Sequence, residues 1–292
     1  MREILFALLS AFFFAAHSVA IRGGLKGSNP MTATLVSSIS NTVFLWVVAV
    51  LFLPFGVFLN KGLLYLSIAG FLTPCLARVF MYTGIEKVGV AITASIKETA
   101  QFFAAGVAIV VLGEQFTVAI GIATVMTIAG VLLLSRSGAG KKMAGQFNWQ
   151  KKDLIFPFIA AMLYGVSRFF RKLGMITVTS AWGGATVMAT ISLMFFPLIL
   201  WTLPNNRRLT IDKRGFYFFT LGGLMGGLGQ VFALAAFRLG DVVVVGPLVS
   251  TAPFFSLLLT FIFLKKLEKL TVHVILGAVL IVAAVAILTV FS

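Results

Sequence analysis

The stretch Thr93-Ala-Ser-Ile-Lys-Glu-Thr-Ala-Gln-Phe-Phe103 places two adjacent charges, Lys97 and Glu98, inside a long apolar run. No other charged residue occurs between Gly89 and Gly113. A run of this length is typical of a membrane-spanning helix, so the pair is expected near the middle of the bilayer. Ionisable side chains at that depth usually face a cavity or a partner, and they often mark a transport pathway.

A second stretch, Val245-Gly-Pro-Leu-Val-Ser-Thr-Ala-Pro-Phe-Phe255, repeats this pattern. Thr99–Phe103 and Thr251–Phe255 share the pattern Thr-Ala-x-Phe-Phe at a spacing of 152 residues. Further pairs at similar spacing are Phe14–His17 with Tyr164–Ser167, Val79-Phe80 with Val231-Phe232, and Glu114 with Glu268. This self-similarity indicates an internal duplication in which one copy kept charges and the other kept prolines.

The composition of the 292-residue chain is that of a multi-pass membrane protein. Hydrophobic residues make up 60% of it and charged residues only 11%, whereas a globular domain has about 25% charged residues. The net charge of +15 comes mainly from short loops between apolar runs, which favours a lipid bilayer over nucleic acid as the partner. The single cysteine, Cys75, excludes an intrachain disulfide and a cysteine metal site. We therefore expect a protein of the cell membrane (inner or plasma).

Ten apolar segments of spanning length are predicted, joined by short polar connections. They are approximately 4–21, 33–53, 62–84, 90–112, 117–134, 153–172, 182–203, 215–237, 242–264 and 271–291. A basic Gly/Lys linker at 136–152 divides a first five-helix repeat, 1–135, from a second, 153–292. Because each half has an odd number of spans, the second half must be inserted upside down, as in many secondary transporters. The predicted fold is all-α and integral to the membrane, with ten transmembrane helices as two inverted five-helix repeats.

The basic residues of the loops predict an orientation. Fifteen Lys and Arg lie on the face of the odd-numbered connections, and five lie on the face that carries both termini. Because cytosolic loops are enriched in Lys and Arg, this count favours both termini outside the cytosol.

The chain resembles the ten-helix, EamA-type branch of the drug/metabolite transporter (DMT) superfamily over nearly its whole length. The residues that carry the resemblance are Phe14–His17, Tyr164–Ser167, Ala252-Pro-Phe-Phe255 and Leu112-Gly-Glu114. The resemblance implies a central cavity lined by helices one to four and six to nine, with helices five and ten outside. It also implies export or exchange of small metabolites, amino acids or drugs without ATP, and neither a cofactor nor an enzymatic reaction. Many relatives are placed with both termini in the cytosol, opposite to the loop count.

Lys97 and Glu98 are the first candidate site residues. Adjacent helix positions point about 100° apart, so the two side chains are not expected to face one small site together. In the functional interpretation Lys97 binds an anionic group of the substrate, and Glu98 orients that group or carries a coupling proton. In the alternative interpretation they make structural ion pairs, for instance between Glu98 and Arg78.

Two arginines and several polar or aromatic residues complete the candidate binding set. Arg78 and Arg168 either snorkel to the membrane interface or point inward, where they would favour carboxylate or phosphate substrates. His17 is either a hydrogen-bonded helix contact or a proton relay, and a metal site there is not expected. Phe14 and Tyr164 either stack on the substrate or pack against lipid and protein. The remaining members are Ser167, the repeat partner of His17, and Gln101, which stands where the family often has proline.

Segments eight and nine contain unusual backbone residues. The glycine-rich stretch Gly222–Gly229 lacks the Lys and Ser/Thr of a phosphate-binding loop, so we expect close helix packing there. Pro247 and Pro253 remove helix hydrogen bonds and predict either a hinge or a static kink.

The leading functional hypothesis is a secondary transporter of a small polar metabolite that works by alternating access, as a monomer or homodimer. The alternative is a flippase for a lipid-linked or amphipathic substrate in the same fold. An intramembrane enzyme is not favoured, because the sequence lacks a cluster of acidic residues and histidines at membrane depth.

Overall fold

The computed structural model describes residues 1–24, 28, 30–78, 80–81, 83–84, 96–97, 99–137, 151–202, 209, 212–263 and 272–291. This part of the chain is almost entirely helical and contains no strand. Its ten helices are α1 (Arg2–Gly24), α2 (Pro30–Phe52), α3 (Gly62–Ala77), α4 (Ala100–Leu112), α5 (Val118–Ser137), α6 (Ile155–Thr177), α7 (Ala181–Thr202), α8 (Lys213–Leu239), α9 (Val242–Val249 and Ala252–Phe263) and α10 (Val272–Phe291). The predicted all-α class is therefore confirmed.

The surfaces of these helices suit a bilayer. Five of them, α1, α2, α6, α7 and α8, are long and apolar enough to cross a membrane. Large apolar side chains point outward, including Val50 at 74% exposure and Val110 at 84%. Such residues favour acyl chains over water. The protein is therefore a multi-pass membrane protein, as its composition predicts.

Helix pairing follows the inverted duplication. α1 packs along α8 of the other half, and its repeat counterpart α6 packs along α3. In the same way α2 contacts α8 while α7 contacts α3. The pairs α2–α7 and α5–α10 each join a helix to its own counterpart. The two five-helix repeats therefore interlock through their helix contacts.

Glycines permit close helix crossings at equivalent places in the two halves. A Cβ atom on Gly223 of α8 would lie 2.5 Å from the main-chain oxygen of Ser37 in α2. A Cβ atom on Gly70 of α3 would lie 2.8 Å from the main-chain oxygen of Met188 in α7. The α8 glycines thus allow two backbones to approach, which is the packing role expected of Gly222–Gly229.

Two helices differ from the predicted segments in ways that affect the site. Segment six was predicted to end at residue 172, but α6 continues to Thr177. Arg171 and Lys172, two of the five residues that the loop count places on the face with both termini, lie inside this helix. Segment nine was predicted as one continuous span, but α9 is interrupted at Ser250 and Thr251.

Candidate functional site

The interruption of α9 has a counterpart beside α4. Thr251 Oγ1 donates to the main-chain oxygen of Leu248 at 2.7 Å, and Thr99 Oγ1 donates to that of Ile96 at 2.6 Å. The main-chain N–H groups of both threonines bond to the same two carbonyls. Such local bonds compete with the regular helix ladder. The duplicated threonine therefore produces two equivalent chain breaks, and discontinuous helices of this kind form mid-membrane sites in transporters.

One face of α6 contacts both breaks. Arg168, near the middle of α6, donates through Nη2 to Ser250 Oγ in the α9 break at 2.9 Å. One turn earlier, the ring centroid of Tyr164 lies 5.6 Å from Lys97 Nζ, next to the other break. This distance is within the range of a cation–π contact. The structure therefore brings Lys97, Tyr164 and Arg168 together, while Glu98 lies outside the described residues.

Arg78 and Arg171 add two more positive charges inside the helix bundle. Arg78 donates through Nη1 to Ser38 Oγ of α2 at 3.4 Å. Arg171 follows Arg168 by one turn of α6, and its Nε is buried without a hydrogen-bond partner. Among the described residues, no carboxylate lies within ion-pair distance of either Arg78 or Arg171. A charged group in this position is costly unless it faces water or a ligand of opposite charge.

His17 and Ser167, which the sequence pairs across the duplication, make equivalent hydrogen bonds. His17 Nδ1 lies 2.7 Å from the main-chain oxygen of Gly222 in α8. Because a carbonyl can only accept, Nδ1 carries the proton in this contact. Ser167 Oγ donates to the main-chain oxygen of Ala69 in α3 at 3.1 Å. Both side chains therefore fasten the first helix of one repeat to the third helix of the other, which matches the helix-contact interpretation of His17.

Two buried glutamines and one aromatic ring complete the central region. Phe14 packs on α8, where a Cβ atom added to Gly229 would lie 2.9 Å from its ring. Gln101 is only 2% exposed, and neither its Oε1 nor its Nε2 has a hydrogen-bond partner in the described part of the chain. Nε2 of Gln230 is also buried without a hydrogen-bond partner in the described part of the chain. A buried amide without a partner costs about 1–3 kcal/mol, so both groups suit a bound ligand or water.

Sequence reasoning missed Gln230 and Arg171 as candidate site residues. Gln230 lies 152 residues after Arg78, the same spacing that relates Thr99 and Thr251. Applying the repeat spacing to Arg78 would therefore have identified Gln230 as a candidate site residue. Arg171 follows Tyr164 by seven positions, which is two turns of one helix face. Predicted segment six, 153–172, already contains both residues, so this spacing could have found Arg171 as well.

The two prolines flank the α9 break. Pro247 lies inside the first part of α9, three residues before Ser250. It offers no N–H to the helix ladder, so α9 is weakened just before it is interrupted. Pro253 is the second residue of the second part, where a helix leaves its N–H groups without internal partners in any case. The arrangement agrees with either a hinge or a kink.

A cavity of about 710 Å³ lies between the beginnings of α4 and α6. Its lining is mostly apolar and comprises Ile96, Thr99, Phe102, Phe103, Lys152, Leu154, Ile155 and Phe158. Ile96 and Thr99 flank Lys97 in the chain, so the cavity adjoins the α4 break. It lies to one side of the predicted centre, because neither Arg78 nor Arg168 is part of its lining.

At the opposite ends of these helices, Glu114 caps α9. Gly113 adopts a left-handed φ of 68° and ends α4. Oε1 of Glu114 accepts the N–H of Val242 and Oε2 accepts the N–H of Val243, both at 3.0 Å. Burial raises the pKa of the Glu114 carboxyl, and the two N–H groups oppose this effect. No three His, Cys, Asp or Glu side chains gather as metal ligands would anywhere in the described ranges.

Comparisons with known proteins agree with this architecture. The sequence profile of the EamA-like transporter family matches residues 1–136 and 151–290, one stretch for each repeat. The comparison with curated proteins finds no match. Among solved structures, a protein crystal structure is similar with a TM-score of 0.73 and 16% sequence identity. The match covers 99% of this chain and 96% of the other, and at this identity it shows the fold alone.

Proposed function

Because this chain belongs to the EamA-like transporter family, we propose that it is a secondary transporter that exports or exchanges a small anionic metabolite. The substrate carries a carboxylate or phosphate, as an acidic metabolite or an amino acid does. Its anionic group binds between the α4 and α9 breaks, at the face of α6 that carries Tyr164, Arg168 and Arg171. Lys97 approaches the same face from the α4 side.

The observation that carries this proposal is the pair Arg78 and Arg171. Arg171 lies inside α6 and Arg78 directly follows α3, and within the described residues neither has a carboxylate at ion-pair distance. A guanidinium group binds carboxylate or phosphate through two parallel hydrogen bonds. An anionic substrate would therefore offset part of the cost of keeping these charges in the membrane. Gln101, whose buried amide has no hydrogen-bond partner in the described part of the chain, supplies neutral donor and acceptor groups for the rest of the substrate.

The helix breaks support alternating access. Rocking one repeat against the other requires helices that can bend near the site. α9 offers such a point, because Pro247 weakens it and Ser250 and Thr251 interrupt it. Arg168 donates a hydrogen bond to Ser250, so an anion that binds Arg168 would compete with this bond and alter the contacts of the α9 break. In this proposal Pro247 and Pro253 act as a hinge.

Uptake into proteoliposomes tests the proposal. The panel contains monocarboxylates, dicarboxylates, phosphate esters, amino acids and neutral or cationic compounds of similar size, each with and without a pH gradient. We expect saturable uptake only of compounds that carry a carboxylate or phosphate group. In Arg171→Gln, loss of a charged hydrogen bond of about 1.5–3 kcal/mol raises KM by roughly tenfold to a hundredfold.

A matched control removes the same charge elsewhere. Arg238 lies in the last turn of α8 and donates to the main-chain oxygen of Thr179, outside the proposed site. Arg238→Gln should leave uptake unchanged. Transport of neutral or cationic compounds alone, or equal kinetics for Arg171→Gln and Arg238→Gln, would refute the anion site.

A flippase is the second candidate function, and the cavity between α4 and α6 favours it. Its phenylalanine-rich lining suits an acyl chain, and Lys152 at its edge suits an anionic headgroup. The discriminating measurement is the rate at which headgroup-labelled fluorescent lipids cross the bilayer of the same proteoliposomes. Accelerated lipid transfer without uptake of any soluble anion would favour the flippase and count against the metabolite transporter.

A further inference from the structure

The contact between Glu114 and α9 joins the two repeats at the membrane face that carries the ends of α4 and α6. Glu114 follows α4, which belongs to the first repeat, whereas α9 belongs to the second repeat. Beneath the contact, Ala104 and Ala108 of α4 pack with Val242–Val245 of α9 in one buried apolar cluster. In alternating access, rocking of one repeat against the other would separate α4 from α9 here and expose Glu114 to water.

We infer that Glu114 is a proton-binding site whose proton is taken up when α4 docks on α9 and is released when the two helices separate. The inference rests on the proposed transport function, to which it adds a means of coupling to a proton gradient. A group whose proton affinity differs between two conformations links protonation to conformation, and the link acts in both directions. The inference places a coupling proton on Glu114, while the coupling or orienting role of Glu98, which lies outside the described residues, stays a prediction.

The surroundings of Glu114 decide which conformation holds the proton more tightly. Its side chain is buried at 9% exposure and lies between α4 and α5, outside the membrane-spanning segments. Burial raises the pKa of the Glu114 carboxyl and prevails over the two main-chain N–H groups, which lower it. The negative charge of Asp241 adds to the increase, and the positive charge of Lys172 on α6 opposes it. Exposure to water in an open state would remove the effect of burial and return the pKa of this carboxyl toward its ordinary value of 4.5.

The described charged groups that neighbour this contact, Lys172, Asp241 and Glu3, each have a partner. Lys172 Nζ donates to the main-chain oxygen of Gly240 at 2.7 Å and lies 3.6 Å from Asp241 Oδ1. Glu3 of α1 packs against Gly240 and pairs with the N-terminal amine. The described residues of α9 contain no titratable side chain. Both carboxylate oxygens of Glu114 bond to α9, so its surroundings would change directly if α9 moved away.

The sign of the pH effect follows from linkage. Because the closed conformation has the higher pKa, protons favour closing. This stabilisation is fully present below the ordinary value of 4.5 and is lost as the pH rises through the raised value. Within that window the closing equilibrium changes by at most about tenfold per pH unit, since one proton is involved.

Hydrogen–deuterium exchange of the full-length protein in lipid nanodiscs tests the inference, with the proton itself as the ligand. The readout is the protection of peptides that contain Val242 and Val243, corrected for the intrinsic pH dependence of exchange, between pH 4.5 and 8. For the wild type we expect protection to rise as the pH falls. Glu114→Gln cannot titrate, so its protection should not change with pH.

Three further variants make the test specific. Asp241→Asn removes the neighbouring carboxylate and should keep the pH dependence. Asp212→Asn removes an ordinary cap, in which Asp212 Oδ1 accepts the Gly215 N–H at 2.7 Å, and should also keep it. Glu114→Asp still titrates but is shorter, and aspartate has the lower ordinary pKa of about 3.9. Its window should therefore move to lower pH, which provides a readout if Glu114→Gln does not fold.

Flat protection in the wild type, an unchanged slope in Glu114→Gln, or an unshifted window in Glu114→Asp would overturn the inference. None of these measurements contains a transport substrate. A negative result therefore removes the proton site and leaves anion transport standing. Conversely, failure of anion uptake in proteoliposomes leaves the exchange result unaffected.

Discussion

Replacing Gly223 by alanine tests whether the interlocked repeats depend on close backbone contact. The added Cβ atom would lie 2.5 Å from the main-chain oxygen of Ser37, 2.8 Å from Ser40 Cβ and 3.0 Å from the main-chain nitrogen of Asn41. An ordinary contact is 3.4–4 Å, so α2 and α8 must move apart by several tenths of an ångström or more. Because two of the three atoms are backbone, a rotamer change cannot relieve the clash.

The expected magnitude follows from two opposing effects. Glycine to alanine stabilises a helix interior by about 1 kcal/mol through intrinsic propensity, and overpacking costs about 1–3 kcal/mol. Gly106 of α4 isolates the first effect, because a Cβ atom there would meet nothing within 4 Å among the described residues. Gly106→Ala and Gly223→Ala should therefore differ in unfolding free energy by about 1–3 kcal/mol, which is the packing cost.

Thermal unfolding of the purified protein in detergent, followed by intrinsic fluorescence, measures this difference. We expect Gly106→Ala to melt at or above the wild-type temperature and Gly223→Ala to melt below it. Gly70→Ala probes the equivalent crossing in the other half and should resemble Gly223→Ala. If Gly223→Ala melted as high as Gly106→Ala, the interpretation of these glycines as backbone contacts would be refuted.

Three further predictions concern individual polar contacts. Glu114→Ala should lower the unfolding free energy by about 1–2 kcal/mol, since two N–H groups of α9 lose their cap. As a control, Asp241→Asn should change it by less than about 0.5 kcal/mol, because the Asp241 side chain is 57% exposed. Equal melting temperatures for these two variants would contradict the cap. Ser167→Ala should cost about 1 kcal/mol, because it removes a buried hydrogen bond between the repeats, and an unchanged melting temperature would show that the bond is dispensable. Ser250→Ala removes one hydrogen bond of the Arg168 guanidinium and should raise KM for a transported anion about tenfold. An unchanged KM in the proteoliposome assay would contradict that role.

The fold class and the duplication were predictable from sequence because their causes are local or periodic. Apolar runs of spanning length must be helical in lipid, where every backbone polar group needs an internal partner. The repeated Thr-Ala-x-Phe-Phe pattern likewise produced equivalent structure, since Thr99 and Thr251 make the same hydrogen bonds within their own segments. Neither conclusion required knowledge of which helices touch.

Contacts between helices distant in the chain were not predictable in this way. Asp241 occupies the N-cap position of α9 and would be its expected cap, yet its side chain makes no cap hydrogen bond. Glu114 provides the cap from 128 residues away.

The sequence by itself therefore determined a membrane-embedded, all-helical, duplicated chain, because hydrophobicity and repeat spacing act through the segment that carries them. Only the tertiary structure decided which polar groups meet: Arg168 with the α9 break, His17 with α8, and Glu114 with the start of α9. The physical reason is that hydrogen bonds and charge interactions act over a few ångströms. Their partners are set by how the two inverted repeats interlock and not by separation along the chain.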